Sequence, residues 1–343
     1  MVDPWYVSNL VCPRDQQALT LHEEQLRCPS QHAYPVVDGV PVMLIDDRAQ
    51  TIDIANASLR RSQSALRDER APDLHLESLG ISEAEKAGVL DLVARGSTID
   101  PVVAYLVAAT NGLMYRHLIG SLDRYPLPEL PLPDGGGRSL LDVGCSWGRW
   151  TFAAGRRGYQ AVGIDPSLGA IMAARRVARE LGADARFVVG DARHLPFASG
   201  RFECVYSYSV LQHLSRPDAS QAVKEIGRVL APGGTAKVQM PTAFGIRCLY
   251  HQARRGFREG RGFEVRYWSL PALRRLFTAR VGASRVEVDC YFGIGLQRAD
   301  EPLMTTRLRR ILSASEWLKR ASRRFRPLTW VADSVFIEAA RAR

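Results

Sequence analysis

Several things are scarce in this chain, and each absence removes a class of protein. No apolar run is long enough to span a bilayer: the longest, Val102 to Leu122, is broken by Thr110, Asn111, Gly112, Arg116 and His117. No basic stretch, apolar core and cleavage site open the sequence, so a cytoplasmic protein is expected. Cysteine is sparse, six in 343 residues, and Cys145, Cys204, Cys248 and Cys290 are scattered where small buried residues are expected, which excludes a disulfide scaffold. Lysine is rarer still, four against 42 arginines, so the net charge of +10 rests on a group suited to bidentate contact with phosphate or carboxylate.

What the chain does have is a repeated pattern of apolar strand followed by acid. The stretch Ser139 to Trp150, SLLDVGCSWGRW, runs from Leu140, Leu141, Asp142 and Val143 into the small residues Gly144, Cys145, Ser146 and Gly148, a turn that brings backbone close to a ligand. The second glycine of a dinucleotide fingerprint is missing, and Asp142 would repel a pyrophosphate while accepting a hydrogen bond from an ammonium or hydroxyl. AVGIDPS ends the next strand at Asp165, and RFVVGDARHLPF ends a third at Asp191. RFECVYSYSVLQHL supplies a fourth strand, and EIGRVLAPGGTAKVQMP a helix, a turn and a fifth strand. Segments 147–157, 168–181, 217–230 and 269–279 read as helices, and 284–292 and 332–340 as the last strands. Alternating strands and helices with right-handed crossovers put these acids and glycines on one edge of a parallel sheet.

The five ordered segments from Ser139 to Pro241 resemble the class I S-adenosylmethionine (SAM) methyltransferases, in the wording of their type 11, ubiquinone-biosynthesis-like branch. The resemblance implies an α/β fold, a Rossmann-like seven-stranded mostly parallel sheet with a reversed terminal hairpin, across residues 138–343. It implies SAM as cofactor, held by Asp142, Gly144, Cys145, Ser146, Trp147 and Gly148. Asp165 would take the ribose hydroxyls beside Pro166 and Ser167, Asp191 the adenine edge beside Ala192, and Ser207 would complete the set. The expected reaction is methyl transfer to a small-molecule, lipid-linked or glycan acceptor at oxygen. His213 is a candidate base, Tyr208 a substrate contact, and His194 and His251 the other histidines near the edge. Strand alternation sends Tyr206 and Tyr208 one way and Ser207 and Ser209 the other. An RNA base methyltransferase is one rival reading, although Ser207 to Val210 lacks the Asn/Asp-Pro-Pro-Tyr/Phe motif many such enzymes carry. A non-catalytic SAM-binding partner protein is another.

Two further segments precede this domain. Residues 1–46 carry paired knuckles, Cys12-Pro-Arg-Asp15 and Cys28-Pro-Ser-Gln-His32, and resemble the small zinc-ribbon activator proteins of tRNA and release-factor methyltransferases. Asp15 stands where that family usually has Cys. Either Cys12, Asp15, Cys28 and His32 hold one structural zinc, or the ribbon is degenerate and relies on Tyr34, Val36, Val37, Val40 and the run Val42 to Ile45. Residues 47–137 read as a helical linker and lid, with a capping box at Ser82 to Glu85 and an apolar helix from Asp100-Pro101 to about Leu122. Related enzymes close such helices over the cofactor, which makes Tyr115 and Arg116 candidate contacts to substrate.

Basic charge is concentrated late. Between Arg247 and Arg326 stand 19 basic and seven acidic residues, and two insertions, 243–268 and 296–328, hold most of the excess. Arg254, Arg255 and Arg266 of the first, with Arg247 and Arg258, suit an anionic acceptor. In the second, Leu308, Ile311, Leu312, Trp317 and Leu318 recur at helical spacing against arginines, which fits packing on the core or peripheral contact with an anionic membrane. Nucleic acid is a less favoured partner.

Overall fold

The computed structural model describes residues 2–65, 74–110, 115–293, 295 and 297–343. Helix α1 (Pro4–Asn9), capped by Asp3, precedes a small antiparallel sheet in the order β1 (Thr20–His22), β2 (Gln25–Arg27), β3 (Ala33–Val37), β4 (Val40–Pro41). The two-residue turn between β3 and β4 is Asp38-Gly39, with φ of 47° and 78°, the left-handed pair a tight hairpin requires. This ribbon does not stand apart from the rest. Leu26, Tyr34, Val36 and Met43 share one apolar core with Val188, Leu195 and Phe197. The Tyr6 hydroxyl donates to the Phe187 carbonyl at 2.9 Å, and Met43 N–H to the Val189 carbonyl at 2.7 Å.

Helices α2 (Asp53–Ala65), α3 (Glu83–Arg95) and α4 (Pro101–Thr110) follow. The expected capping box is present: the Ser82 hydroxyl accepts from Glu85 N–H, and the Glu85 carboxylate accepts from Ser82 N–H. Asp100 caps α4 by accepting from Val102 and Val103 N–H, and pairs with Arg176 at 2.5 Å. The helix expected to reach Leu122 is described only to Thr110; residues 111–114 lie outside the described set, and Arg116–Leu118 form a single 3-10 turn.

The main sheet comprises β5 (Ser139–Val143), β6 (Gln160–Asp165), β7 (Ala185–Val189), β8 (Phe202–Ser207), β9 (Leu230–Pro241), β10 (Ser284–Cys290) and β11 (Ser334–Ala340). Between them run α5 (Arg149–Arg156), α6 (Leu168–Leu181), α7 (Arg216–Val229), α8 (Ile246–Arg254), α9 (Leu270–Arg280) and α10 (Thr306–Arg324). The strand order is β10-β11-β9-β8-β5-β6-β7, and only β11 runs against its neighbours. The central strands are buried on both faces, as covered parallel strands must be; Leu140, Leu141, Val188 and Val205 are fully enclosed. Chain order reverses between β5 and β8, so a crevice lies outside their C-terminal ends. Helix α10 packs through Leu308, Leu312 and Leu318 and leaves Trp317 exposed.

Candidate active site

The crevice begins where β5 ends. The chain leaves it through Gly144, Ser146 and Gly148, all at positive φ. A Cβ on Gly144 would come within 2.2 Å of Val210 Cγ2, so glycine is required there by the side chain that follows β8. Ser146 tolerates the left-handed conformation because its N–H donates to Asp165 Oδ2 at 2.9 Å. The other oxygen, Oδ1, accepts from Ser167 N–H at 2.9 Å. Asp165 thereby ties two loops together, and each of its oxygens keeps a lone pair, the arrangement that two adjacent hydroxyls need. Burial pushes its carboxyl up to about 6, against the pull of those two N–H groups. Asp142 accepts from the Thr151 hydroxyl at 2.7 Å; burial, helped by the charge of Asp165, pushes it up to about 7. Two acids close enough to repel each other favour a ligand that brings hydroxyls or positive charge.

Several residues expected to touch cofactor are committed elsewhere. Trp147, in the turn before α5, is buried in the core against Tyr125 with ring centroids 5.9 Å apart. Cys145 is also buried, its sulfur next to Gly163, where an added Cβ would lie 2.7 Å away. Ser207 donates its hydroxyl to the Val143 carbonyl at 2.9 Å and so clasps β8 to β5. Ser167 caps α6 and donates to the Ser78 carbonyl at 2.6 Å, while the Pro166 carbonyl accepts from Ser58 at 2.7 Å. The helical segment therefore sits on the loop after β6. Asp191 pairs with Arg193 at 2.6 Å and accepts that residue's own N–H, so its carboxylate holds its loop instead of presenting an open adenine edge; Ala192 is half-buried beside it. Gly148 caps the start of α5.

On the acceptor side the expected residues divide. His213 Nδ1–H donates to the Phe263 carbonyl at 2.7 Å, which fixes the tautomer and leaves Nε2 as the lone-pair atom, 3.2 Å from the Gln212 amide. Its ring stacks on Phe263 at 3.9 Å, and burial with the nearby Arg266 charge lowers its pKa, so it is neutral at pH 7. Tyr208 is not an open contact: its hydroxyl donates to Asp289 at 3.3 Å and accepts from Gln297 at 3.2 Å, and its ring lies on Trp150. Tyr115 is likewise a core residue. Its hydroxyl is held between Asp300 and Arg149, which explains why it does not face substrate; Arg116 is exposed in the turn that follows.

Arg254 points to solvent over the Tyr250 ring, and Arg255 donates to the Val265 carbonyl, so neither lines a cavity with the other arginines. Arg266 does. It is only 9% exposed, and its Nη1 holds the carbonyls of His213, Gly262 and Glu264. Among the described residues Nε and Nη2 have no hydrogen-bond partner, and the residue lines a cavity of about 550 Å³ with Ser215, Arg216, Arg258, Glu259 and Arg261. Arg216 was not singled out from sequence, although Ser215-Arg216-Pro217 reads plainly as a helix start.

Sequence reasoning also missed Arg149 and Asp300. Arg149 is buried, pairs with Asp300 at 2.8 Å, and donates to the Tyr115 hydroxyl and the Pro126 carbonyl. The only sequence signal is the position of Arg149 directly after Gly148. In the ribbon, Cys12, Asp15, Cys28 and His32 bring four ligand atoms within 4.8 Å of one another. His32 Nδ1 lies 3.4 Å from Cys12 Sγ, 3.3 Å from Cys28 Sγ and 3.3 Å from Asp15 Oδ2. Bonds of 2.0 to 2.3 Å to a tetrahedral zinc place ligand atoms roughly 3.3 to 3.8 Å apart, so the three separations from His32 and the 3.7 Å between Cys28 Sγ and Asp15 Oδ2 suit the ion.

Residues 140–234 match the family described as a methyltransferase domain. With the strand order above, that segment is a class I SAM-dependent methyltransferase domain. Methyltransferase GfsG of Streptomyces halstedii is 35% identical over 101 residues, 29% of this chain and 36% of that protein. A chloroplastic tocopherol O-methyltransferase of Arabidopsis thaliana is 36% identical over 28% of each chain. A ubiquinone biosynthesis O-methyltransferase of Azorhizobium caulinodans is 32% identical over 29% of this chain and 38% of that one. The chain thus spans only 28 to 38% of the length of these relatives. The matched family uses SAM, and Asp165, with its two free lone pairs, fits the ribose of that cofactor.

Proposed function

We propose that this protein transfers the methyl group of SAM to an oxygen of a small acceptor that carries a negative charge. Two of the relatives are named O-methyltransferases, which supports oxygen as the atom. The observation that carries the anionic acceptor is the cavity around Arg216, Arg258, Arg261 and Arg266: Arg216 pairs with Glu259 and Arg258 with Glu264, while Arg261 and Arg266 have no carboxylate partner among the described residues. Bound SAM supplies an already activated methyl group. The chain's own work is alignment: Asp165 and Asp142 hold hydroxyl and ammonium groups on one side of the crevice, and the arginines hold an anion on the other. His213, neutral with its proton on Nδ1, takes the acceptor's hydroxyl proton at Nε2 when the acceptor hydroxyl replaces the Gln212 amide that donates to this atom at 3.2 Å.

Calorimetry with SAM tests the first half. Asp165→Ala removes charge-assisted hydrogen bonds of roughly 1.5 to 3 kcal/mol each and is expected to weaken SAM at least about tenfold. Unchanged affinity refutes the assignment. The acceptor is found by comparing metabolites of a deletion strain and its parent for a molecule that lacks one methyl group. Arg216→Ala with Arg261→Ala then raises KM for that acceptor and leaves SAM affinity alone. Tight RNA binding with a salt slope of several phosphates would favour the nucleic-acid reading instead. In the ribbon we assign Cys12, Asp15, Cys28 and His32 to one structural zinc; metal analysis is expected to give about one ion per chain, and Asp15→Cys to tighten it.

A further inference from the structure

Among the described residues, six of the fourteen large exposed hydrophobic side chains fall between Phe244 and Phe263. Phe263 is stacked on His213, but Phe244, Ile246, Leu249, Tyr250 and Phe257 are 39 to 67% exposed and cluster on and around α8. The helix is fastened by its opposite side. Asp333 accepts the N–H groups of Arg247 and Cys248, the Cys248 thiol donates to the Asp333 carbonyl, and the Gln252 amide donates to the Ala243 carbonyl at 2.8 Å. At about 100° per residue, Ile246, Leu249, Tyr250 and Ala253 fill an outward arc about 100° wide, and Arg247, His251 and Arg254 fill the adjoining sector. No acid occurs in Ile246–Arg254. Trp330 and Val331, also exposed, stand just before Asp333 in the chain and so lie at the anchored end of the same helix.

We infer that α8 and its flanking phenylalanines rest on an anionic phospholipid surface. An outward apolar arc beside a purely basic sector, with aromatic residues at both ends, is the pattern of a helix that lies in the plane of a bilayer interface. Spanning is ruled out for it by its nine residues, and no described helix of the chain is long and apolar enough to cross a membrane. A second copy of the chain is a poor occupant, because it would set two strongly basic surfaces against each other. The phospholipid headgroup supplies the charge that complements Arg247 and Arg254. The corollary that the methylated molecule is itself held in the bilayer rests on the methyl-transfer reading, but the surface does not.

The test is sedimentation of the full chain with sucrose-loaded vesicles, of phosphatidylcholine alone or of phosphatidylcholine with phosphatidylglycerol. The chain is expected to bind the anionic vesicles and to bind the neutral ones at least tenfold more weakly. Ile246→Glu with Tyr250→Glu, both solvent-facing, should reduce binding to anionic vesicles at least tenfold while SAM affinity by calorimetry stays at the parent value. Arg247→Glu should reduce it several-fold, and Arg320→Glu on α10 by less than twofold. Failure to bind vesicles, binding that survives Ile246→Glu with Tyr250→Glu, or loss caused chiefly by Arg320→Glu overturns the proposal. So does light scattering that finds a dimer which Ile246→Glu dissociates, since a second copy then covers the face. Loss of vesicle binding with SAM affinity intact separates this surface from the cofactor site.

Discussion

The two arginine-rich insertions have similar composition and opposite roles in the structure. Helix α10 turns Leu308, Leu312 and Leu318 inward, and its segment reaches the core of the molecule through Asp300 and Arg149. Helix α8 leaves Ile246, Leu249 and Tyr250 in solvent and is held by backbone caps and a few polar side chains. Amphipathic periodicity is present in both. It reports that a helix has two faces, and it leaves undecided which face meets the protein.

The contrast can be broken most forcefully at the buried pair. Asp300→Ala leaves the Arg149 guanidinium buried without its partner and is expected to cost about 3 to 5 kcal/mol in urea denaturation. Arg258→Ala, which opens a solvent-exposed pair with Glu264 in the first insertion, should leave the midpoint unchanged. Equal effects would mean that both insertions are structural. Next in size, Leu312→Ala on α10 should cost about 2 to 5 kcal/mol, whereas Leu249→Ala on α8 should stay within about 0.5 kcal/mol.

The smallest effect sharpens the contrast between exposed arginines and enclosed acids. Folding raises the carboxyl of Asp165 to about 6 and that of Asp142 to about 7, above the usual value near 3.9 of an unfolded chain. Between those limits the folded state binds more protons than the unfolded state, so this contribution to stability is full at low pH and is lost as pH rises through 6 and 7. The stability of Asp165→Asn relative to the parent should therefore improve from pH 4.5 to pH 7.5. A pH-independent difference between the two would show that Asp165 is already ionised when folded at low pH.

Much of this frame could be read from residues alone. Strand-and-acid repeats located β5 to β9, the segment 168–181 is helical to the residue, and the reversed last strand appeared where expected. Local chemistry was legible where it is local, as in the Ser82–Glu85 box. What stayed hidden were partners. Asp191 reads as a strand-end acid, yet Arg193, two residues on, occupies it; Trp147 and Tyr115 read as possible ligand contacts because a sequence does not reveal which side of a turn is roofed. Arg149 and Asp300 are 151 positions apart, and nothing in either neighbourhood announces the other. The cavity arginines were expected in the first insertion, but one of them, Arg216, comes from the start of α7.

The ribbon's position bears on how the molecule behaves in a crowded solution. β7 is one of the two outermost strands of the main sheet, with β10 at the other side, and an outermost strand offers unpaired backbone groups to any passing chain. Here Val42 lies parallel beside Val189, and Met43 donates to the same residue, so the N-terminal segment occupies that border before a neighbour can. Its service is then to colloidal stability: a chain stripped of the first 46 residues would lose the cover over Val188, Leu195 and Phe197 as well as the pairing at the border of β7, and both losses favour aggregation.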